Sequence, residues 1–274
     1  MSFTLAAFDS GLGGLSALAP LLRASRGGRV SYLGDLANLP YGPKSARRIS
    51  QLTLANIKHL LDDSRFPKPD LLVVACNTAS AYAMDAIRPV LEEKRIPVLG
   101  VIEPACREAL RSKPQRILVL ATQATVSSRA YESELRRLGF VGEIQQIACP
   151  LFVPFVEEGI VDGPALQWVV QKYLAPHARP GDLAILGCTH YPFMLETLKK
   201  EFDHLAFVHA GEALLKEPVI LELLAKNTNE FENHVLELVF TDNPDVPGRL
   251  DRFLKQLRLK DLSTISVREV APIV

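Results

Sequence analysis

Cysteine is scarce in this chain, and its placing excludes more than its number. Cys76, Cys106, Cys149 and Cys188 are the four cysteines of 274 residues. No CxxC pair exists among them, which argues against a structural zinc site. Long apolar runs are also missing, since none reaches the roughly eighteen residues of a membrane-spanning helix. The first residues, "MSFTLAAFDSG", lack the basic flank and apolar length of a signal peptide. A cytoplasmic protein with free thiols is therefore expected. An excess of charge of either sign is absent too, with 31 Lys and Arg against 31 Asp and Glu. That balance gives no overall field toward nucleic acid or an anionic membrane and points to a small-molecule site.

What is present is an α/β rhythm. The hydrophobic share is 48% and the charged share 23%, enough for one large or two medium domains with a real core. Short runs rich in Val, Ile and Leu ("FTLAAF", "RVSYLG", "DLLVVA", "IPVLGVI", "RILVLA", "DLAILG", "LAFVHA") alternate with stretches of helical period. Continuous apolar strands between helices imply a mostly parallel sheet covered on both faces. Ligands then gather outside the carboxyl ends of the strands. From about Gly211 the pattern reads as a long helix, "GEALLKEPVILELLAKN". A strand "HVLELVFTD", a helix "GRLDRFLKQL" and a last strand "TISVREV" follow.

The chain also echoes itself. "DLLVVACNT" from Asp70 and "DLAILGCTH" from Asp182 align without gaps at an offset of 112 residues, counted from Cys76 to Cys188. The same offset lays Ser10, at the end of the first strand, over Thr122. Two related α/β halves are expected, with a crossing near residue 98 at "RIPVLGVIEPA" and a return near residue 210.

Several strand ends carry groups able to do chemistry. "DSGLGG" at Asp9 lets backbone N–H groups approach a ligand at a helix start, or is simply a tight turn capped by Asp9 or Ser10. "ACNTAS" puts Cys76 just before a helix starting with Asn77 and Thr78, where the helix dipole lowers a thiol pKa from about 8.5. Buried apolar filler is the other reading of a single cysteine. In "GCTHYP", Thr189 and His190 occupy the positions of Asn77 and Thr78, Pro192 sits in the first turn of the next helix, and His190 is placed to hold or move a proton for Cys188. "LPYGPKS" offers Tyr41 and Gly42 from a loop. "ACPLFVPFVEEG" carries Cys149, read as packing, with Glu157 and Glu158, of which one faces the cleft. Two matching Cys-polar-polar turns are hard to explain as packing and point to one cleft with a thiol from each side.

Taken together, "FDSGLGGLS", "YLGDLANLPYGPKS", "VVACNTASA", "PVLGVIEPA", "ATQATVSSRAYE", "ACPLFVPFVEEG" and "LGCTHYP" resemble the glutamate racemases of the aspartate/glutamate racemase superfamily, in family order over residues 8 to about 212. The resemblance implies two similar flavodoxin-like parallel-sheet domains facing each other across a cleft and related by a pseudo-twofold. Residues 1–97 plus 211–274 would form the first and 98–210 the second. It implies Cys76 and Cys188 as the acid/base thiols, assisted by Asp9 and His190, with Glu157 supporting His190. Substrate contacts would fall to Asp9, Ser10, Tyr41, Gly42, Asn77, Thr78, Thr189 and His190. No metal and no cofactor is implied. A homodimer is, as is D-glutamate supply to bacterial peptidoglycan. Leu36, Asn38 and His209 depart from the family's usual residues, which bears on oligomer contacts or regulation rather than on the proton carriers.

Cofactor-free racemisation removes a weakly acidic α-proton on one face and returns one on the other, and two thiols flanking a planar carbanion can do both. Polar donors in a water-poor cleft would stabilise the developing charge. Other activities on the same scaffold are aspartate racemisation with a shorter pocket, decarboxylation needing one thiol, and cis-trans isomerisation using one thiol as nucleophile. A different class of reading is a non-catalytic binding protein acting on DNA gyrase, which the neutral charge does not favour as a direct DNA contact.

Overall fold

The structure, a computed structural model, describes residues 3–25, 27–226, 234–241, 246–260 and 263–273. Ten strands are present among them: β1 (Thr4–Asp9), β2 (Gly28–Gly34), β3 (Leu71–Val74), β4 (Val98–Gly100), β5 (Arg116–Ala121), β6 (Glu143–Ala148), β7 (Leu183–Gly187), β8 (Ala206–His209), β9 (His234–Thr241) and β10 (Ser263–Val270). They form a six-stranded sheet in the order β10-β9-β2-β1-β3-β4 and a four-stranded sheet in the order β6-β5-β7-β8. Every pairing is parallel. The α/β class and the parallel sheets thus match the expectation.

The inner strands are apolar along their length because helices cover both faces. In β1, Leu5 and Ala7 face a core shared with Leu118 and Leu120 of β5, while Ala6 and Phe8 face a second core on the far side of the first sheet. Ile117 and Val119 of β5 face a third. Each fully buried Leu, Val or Phe contributes about 1.5–3 kcal/mol by leaving water. A continuous core therefore runs between the two halves. Gly211, in the helix Ala210–Leu214, lies so close to the helix Leu15–Ala24 that a Cβ there would sit 2.7 Å from the carbonyl oxygen of Ser16.

The internal echo is structural. Phe8 pairs with Val74 across β1 and β3, and Leu120, 112 residues on, pairs with Leu186 across β5 and β7. Leu5 with Leu71 and Ile117 with Leu183 repeat the relation. The orders β2-β1-β3-β4 and β6-β5-β7-β8 are the same order twice, and it is the flavodoxin-like one whose switch point lies between the first and third strands. Cys76 and Cys188 follow the third strand of each half.

Three details differ from the sequence reading. Val98–Gly100 still pairs with β3 in the first sheet, so the chain crosses after Gly100 rather than near residue 98. Strand β6, "EIQQIA", was not expected; it lies at a sheet edge and is only partly buried, so it carries little apolar signal. The long helix from Gly211 is two, Ala210–Leu214 and Pro218–Lys226, because Pro218 has no N–H and its ring clashes with the preceding turn. Asp9 caps the tight turn after β1, as expected, by accepting from the N–H of Gly11, and the first helix starts after Gly14. Asn227 and Asp242, at the ends of the expected helix and strand, fall outside the described residues.

Candidate functional site

The carboxyl ends of the inner strands of both sheets meet at one small cleft. Ser10, Tyr41, Gly42, Cys76, Asn77, Thr78, Thr189, His190 and Cys188 all line it, joined by Leu39, Pro40, Thr122 and Val153. The cleft thus collects both thiol turns and most of the expected contacts. Its volume is about 20 Å³, room for about one water molecule. A larger hollow of about 370 Å³, lined by Leu60, Phe66 and Lys94 among others, shares no residue with it. All four cysteines are buried and unpaired.

Cys76 is the N-cap of the helix Asn77–Tyr82, and its sulfur accepts from the N–H of Ala79 at 3.4 Å. Its own thiol lies 3.5 Å from Ser10 Oγ. Burial, with the charge of Asp9 adding to it, pushes the Cys76 thiol up to about 12, against its hydrogen bond with Ser10 and the one it accepts from the Ala79 N–H. The expectation of a thiol lowered by the helix terminus is thereby reversed, because desolvation outweighs one turn of dipole.

On the opposite side Cys188 Sγ stands 3.9 Å from His190 Nδ1, and His190 Nε2 is 2.6 Å from Glu157 Oε1. Burial works against a charged His190. The hydrogen bonds to Cys188 and Glu157, and their charges, outweigh it and raise the imidazole to about 10. Burial likewise opposes an ionised Glu157, yet His190 and Arg249 hold its carboxyl below the usual range. Glu158 is exposed and Glu157 buried, but Glu157 does not line the cleft; it reaches it only through His190. Cys149 is packing, as expected, with its thiol toward the carbonyl of Ile147.

Asp9 is fully buried and does not line the cleft. Its carboxylate accepts from the N–H of Gly11 at 2.9 Å and from the Thr189 hydroxyl at 3.2 Å. Burial raises its pKa against the effects of His190 and those donors. The glycines beside it make room for the other half. A Cβ on Gly13 would lie 2.6 Å from both His190 Nδ1 and Thr189 Oγ1, and one on Gly14 would lie 2.5 Å from Asp9 Cβ.

Further residues position these groups without an obvious mark in the sequence. Tyr131 donates to Asn77 Oδ1 at 2.5 Å, which leaves Asn77 Nδ2 buried with no hydrogen-bond partner at the edge of the cleft. Thr78, Thr122 and Thr125 form a ring of hydroxyls 3.0–3.1 Å apart. Asp35 receives Tyr41, Asn38, Asn56 and Thr241, and so holds the Tyr41 loop. Of the three departures, Leu36 is buried in a short 3-10 turn, Asn38 bonds Asp35, and His209 ends β8 with Nε2 3.6 Å from Glu212. Among the described residues no helix is long and apolar enough to cross a membrane, and no group of three His, Cys, Asp or Glu side chains is arranged to hold a metal ion.

Residues 10–217 match the model of the Asp/Glu/Hydantoin racemases. The chain belongs to that racemase family. A glutamate racemase from Aquifex aeolicus is 41% identical over 249 residues, which span 90% of this chain and 91% of that one. Among solved structures, glutamate racemase from Francisella tularensis in complex with D-glutamate superposes with a TM-score of 0.84 at 29% identity, covering 99% of this chain and 98% of that one. The enzyme from Thermus thermophilus in complex with β-chloro-D-alanine gives 0.80 at 31%, over 98% and 97%.

Proposed function

We propose that this protein interconverts L- and D-glutamate by proton transfer between the α-carbon and two cysteines, without a cofactor. The observation that carries the reading is the pair of thiols brought from register-equivalent strand ends, Cys76 after β3 and Cys188 after β7, into one cleft. The choice of glutamate rests on the relatives' identity. Cys76 takes the α-proton of D-glutamate. Cys188, assisted by His190 and Glu157, takes that of L-glutamate. The sulfur that has not taken the proton delivers one to the other face.

The chemistry needs little else. His190 presents Nδ1 to the Cys188 sulfur and can pass it a proton or hold it once ionised. Asp9 stands behind Thr189, on the other side of the same turn. The unpartnered amide N–H of Asn77, with the hydroxyls of Ser10, Thr78 and Thr189, supplies donors to substrate carboxylates in a nearly dry space. Because about 20 Å³ cannot hold an amino acid, the halves part to admit it. The reading extends to a cytoplasmic homodimer that supplies D-glutamate for peptidoglycan. Sedimentation velocity tests the dimer.

The deciding experiment uses glutamate analogues whose β-substituent leaves after α-proton removal. Cys76→Ser and Cys188→Ser should each lose racemisation by several orders of magnitude. Cys76→Ser should still eliminate from the L isomer and Cys188→Ser from the D isomer. One variant losing both eliminations while the other keeps both would mean that a single base does the work.

A further inference from the structure

The helix Val246–Gln256 follows β9 of the first sheet, yet Arg249, Arg252 and Gln256 on it make polar contacts with the second half. Arg249 Nη1 lies 3.0 Å from Glu157 Oε2, and Arg252 Nη2 donates to the Glu157 carbonyl oxygen at 2.9 Å. Phe253 packs edge-on to the His190 ring at 6.2 Å between centroids and against Phe193 at 4.5 Å. Gln256 Nε2 donates to the carbonyl of Phe193 at 2.7 Å. One side of this helix thus runs from Glu157 to the residues just after His190.

Arg249 is the telling residue. Its side chain is part-buried, and among the described residues its Nε and Nη2 find no hydrogen-bond partner, so its one side-chain ion pair there is with Glu157. Covering two guanidinium nitrogens without partners is unfavourable, and an ion pair at the open surface would not require it. The Glu157 carboxylate is divided between two cations' worth of donors: Oε2 takes Arg249, and Oε1 takes His190 Nε2 at 2.6 Å. Pinning one oxygen fixes where the other points. An unbroken series of contacts therefore leads from Arg249 through Glu157 and His190 to the Cys188 sulfur. Among the described residues the Cys76 thiol has no such series, its partners being Ser10 and the Ala79 N–H.

We propose that Arg249 is a positioning residue for one half of the reaction: by anchoring Glu157 it holds His190 against Cys188, and it leaves proton removal by Cys76 unaffected. The proposal rests on the two-thiol reading. It gives the C-terminal helix a specific task, since that helix reaches across to control the proton donor of the opposite half. The two enantiomers of glutamate have equal free energy, so the ratio of kcat/KM in the two directions stays at one in every variant. Racemisation rates alone cannot reveal a one-sided effect. Irreversible elimination from each isomer of a β-substituted analogue can.

In Arg249→Met, elimination from the L isomer should fall about tenfold to a hundredfold, the size of one lost charged hydrogen bond. Elimination from the D isomer should stay near the wild-type rate, which also shows the variant folded. Arg249→Lys, which keeps the charge and a donor, should recover most of the loss. Should the methionine variant not fold, Arg249→Gln gives the same readout with a polar side chain. Equal loss from both isomers, or no loss from the L isomer, overturns the proposal. Cys188→Ser run alongside separates the two failures. A split between isomers there without one in the Arg249 variant removes the role of Arg249 alone. No split in either removes the two-thiol reading and the role with it.

Discussion

Replacing Gly13 by alanine adds one carbon where the two halves come closest to the proposed chemistry. Gly13 is not among the residues with positive φ, so its backbone accepts alanine and the effect is purely steric. The new carbon would meet His190 Nδ1 and Thr189 Oγ1 at 2.6 Å and His190 Cε1 at 2.7 Å. Ordinary contact begins near 3.4 Å, so something must yield by about 0.8 Å, a shift of the size that costs around a hundredfold in rate when it misplaces a reacting group. The imidazole has nowhere to retreat, being held by Glu157 at 2.6 Å and by the Phe253 ring. Either the ring tilts away from Cys188 or the halves are wedged apart. Overpacking of this kind also costs about 1–3 kcal/mol of stability. Circular dichroism on L- and D-glutamate measures the rate, and a urea melt measures the stability. Gly248→Ala is the control, because a Cβ there meets nothing within 4 Å in the helix Val246–Gln256. It should leave the rate unchanged and stabilise by about 0.5–1 kcal/mol. Wild-type racemisation and stability in Gly13→Ala would refute the claim that this glycine is needed for His190 to approach.

Tyr131→Phe removes the donor that sets the Asn77 amide; it should raise KM for glutamate more than it lowers kcat and cost about 1–3 kcal/mol for the stranded carbonyl, and steady-state kinetics showing an unchanged KM would contradict this. Stability should also fall with rising pH above neutrality. His190 is raised from 6.5 to about 10, because Cys188 and Glu157 outweigh its burial, so its contribution is complete below about 6.5 and is lost as pH climbs to about 10, with a limiting slope of about 1.4 kcal/mol per pH unit for one proton. Cys76, raised by burial to about 12, adds to the same trend once the unfolded thiol ionises. Glu157 acts on the acid side, where a carboxyl held low contributes above its ordinary pKa of 4.5 and loses that as pH falls through its native value. Urea melts from pH 6 to pH 10 on wild type and Glu157→Gln should show a shallower decline in the variant.

The parts of the molecule that could be read from the chain are those with local grammar. Each inner strand is a run of apolar residues ending in a small residue and a polar turn. The register match of Phe8 with Val74 and Leu120 with Leu186 was already present as an ungapped repeat. What escaped has no such grammar. Strand β6 is half polar because it is an edge, and β4 is three residues long, too short to mark which sheet it joins. Arg249 and Glu157 are 92 residues apart, and Tyr131 and Asn77 are 54 apart; contacts of that span leave no periodic trace. The direction of the Cys76 shift cannot be read from the chain for a related reason. A helix terminus is visible in a sequence, whereas complete burial is a property of the folded molecule.

The burial of all four thiols turns the chain into its own clock. Cys76 and Cys188 line the cleft where the strand ends of the two halves meet, whereas Cys106 is sealed in a core formed by the second half. A thiol-specific reagent in excess therefore has two ways in. Separation of the halves exposes the first pair together, and only unfolding exposes Cys106. Labelling in native buffer reads how often the halves part, and labelling in denaturant reads how often the protein comes undone. Both rates can be followed in the unaltered protein with no probe attached.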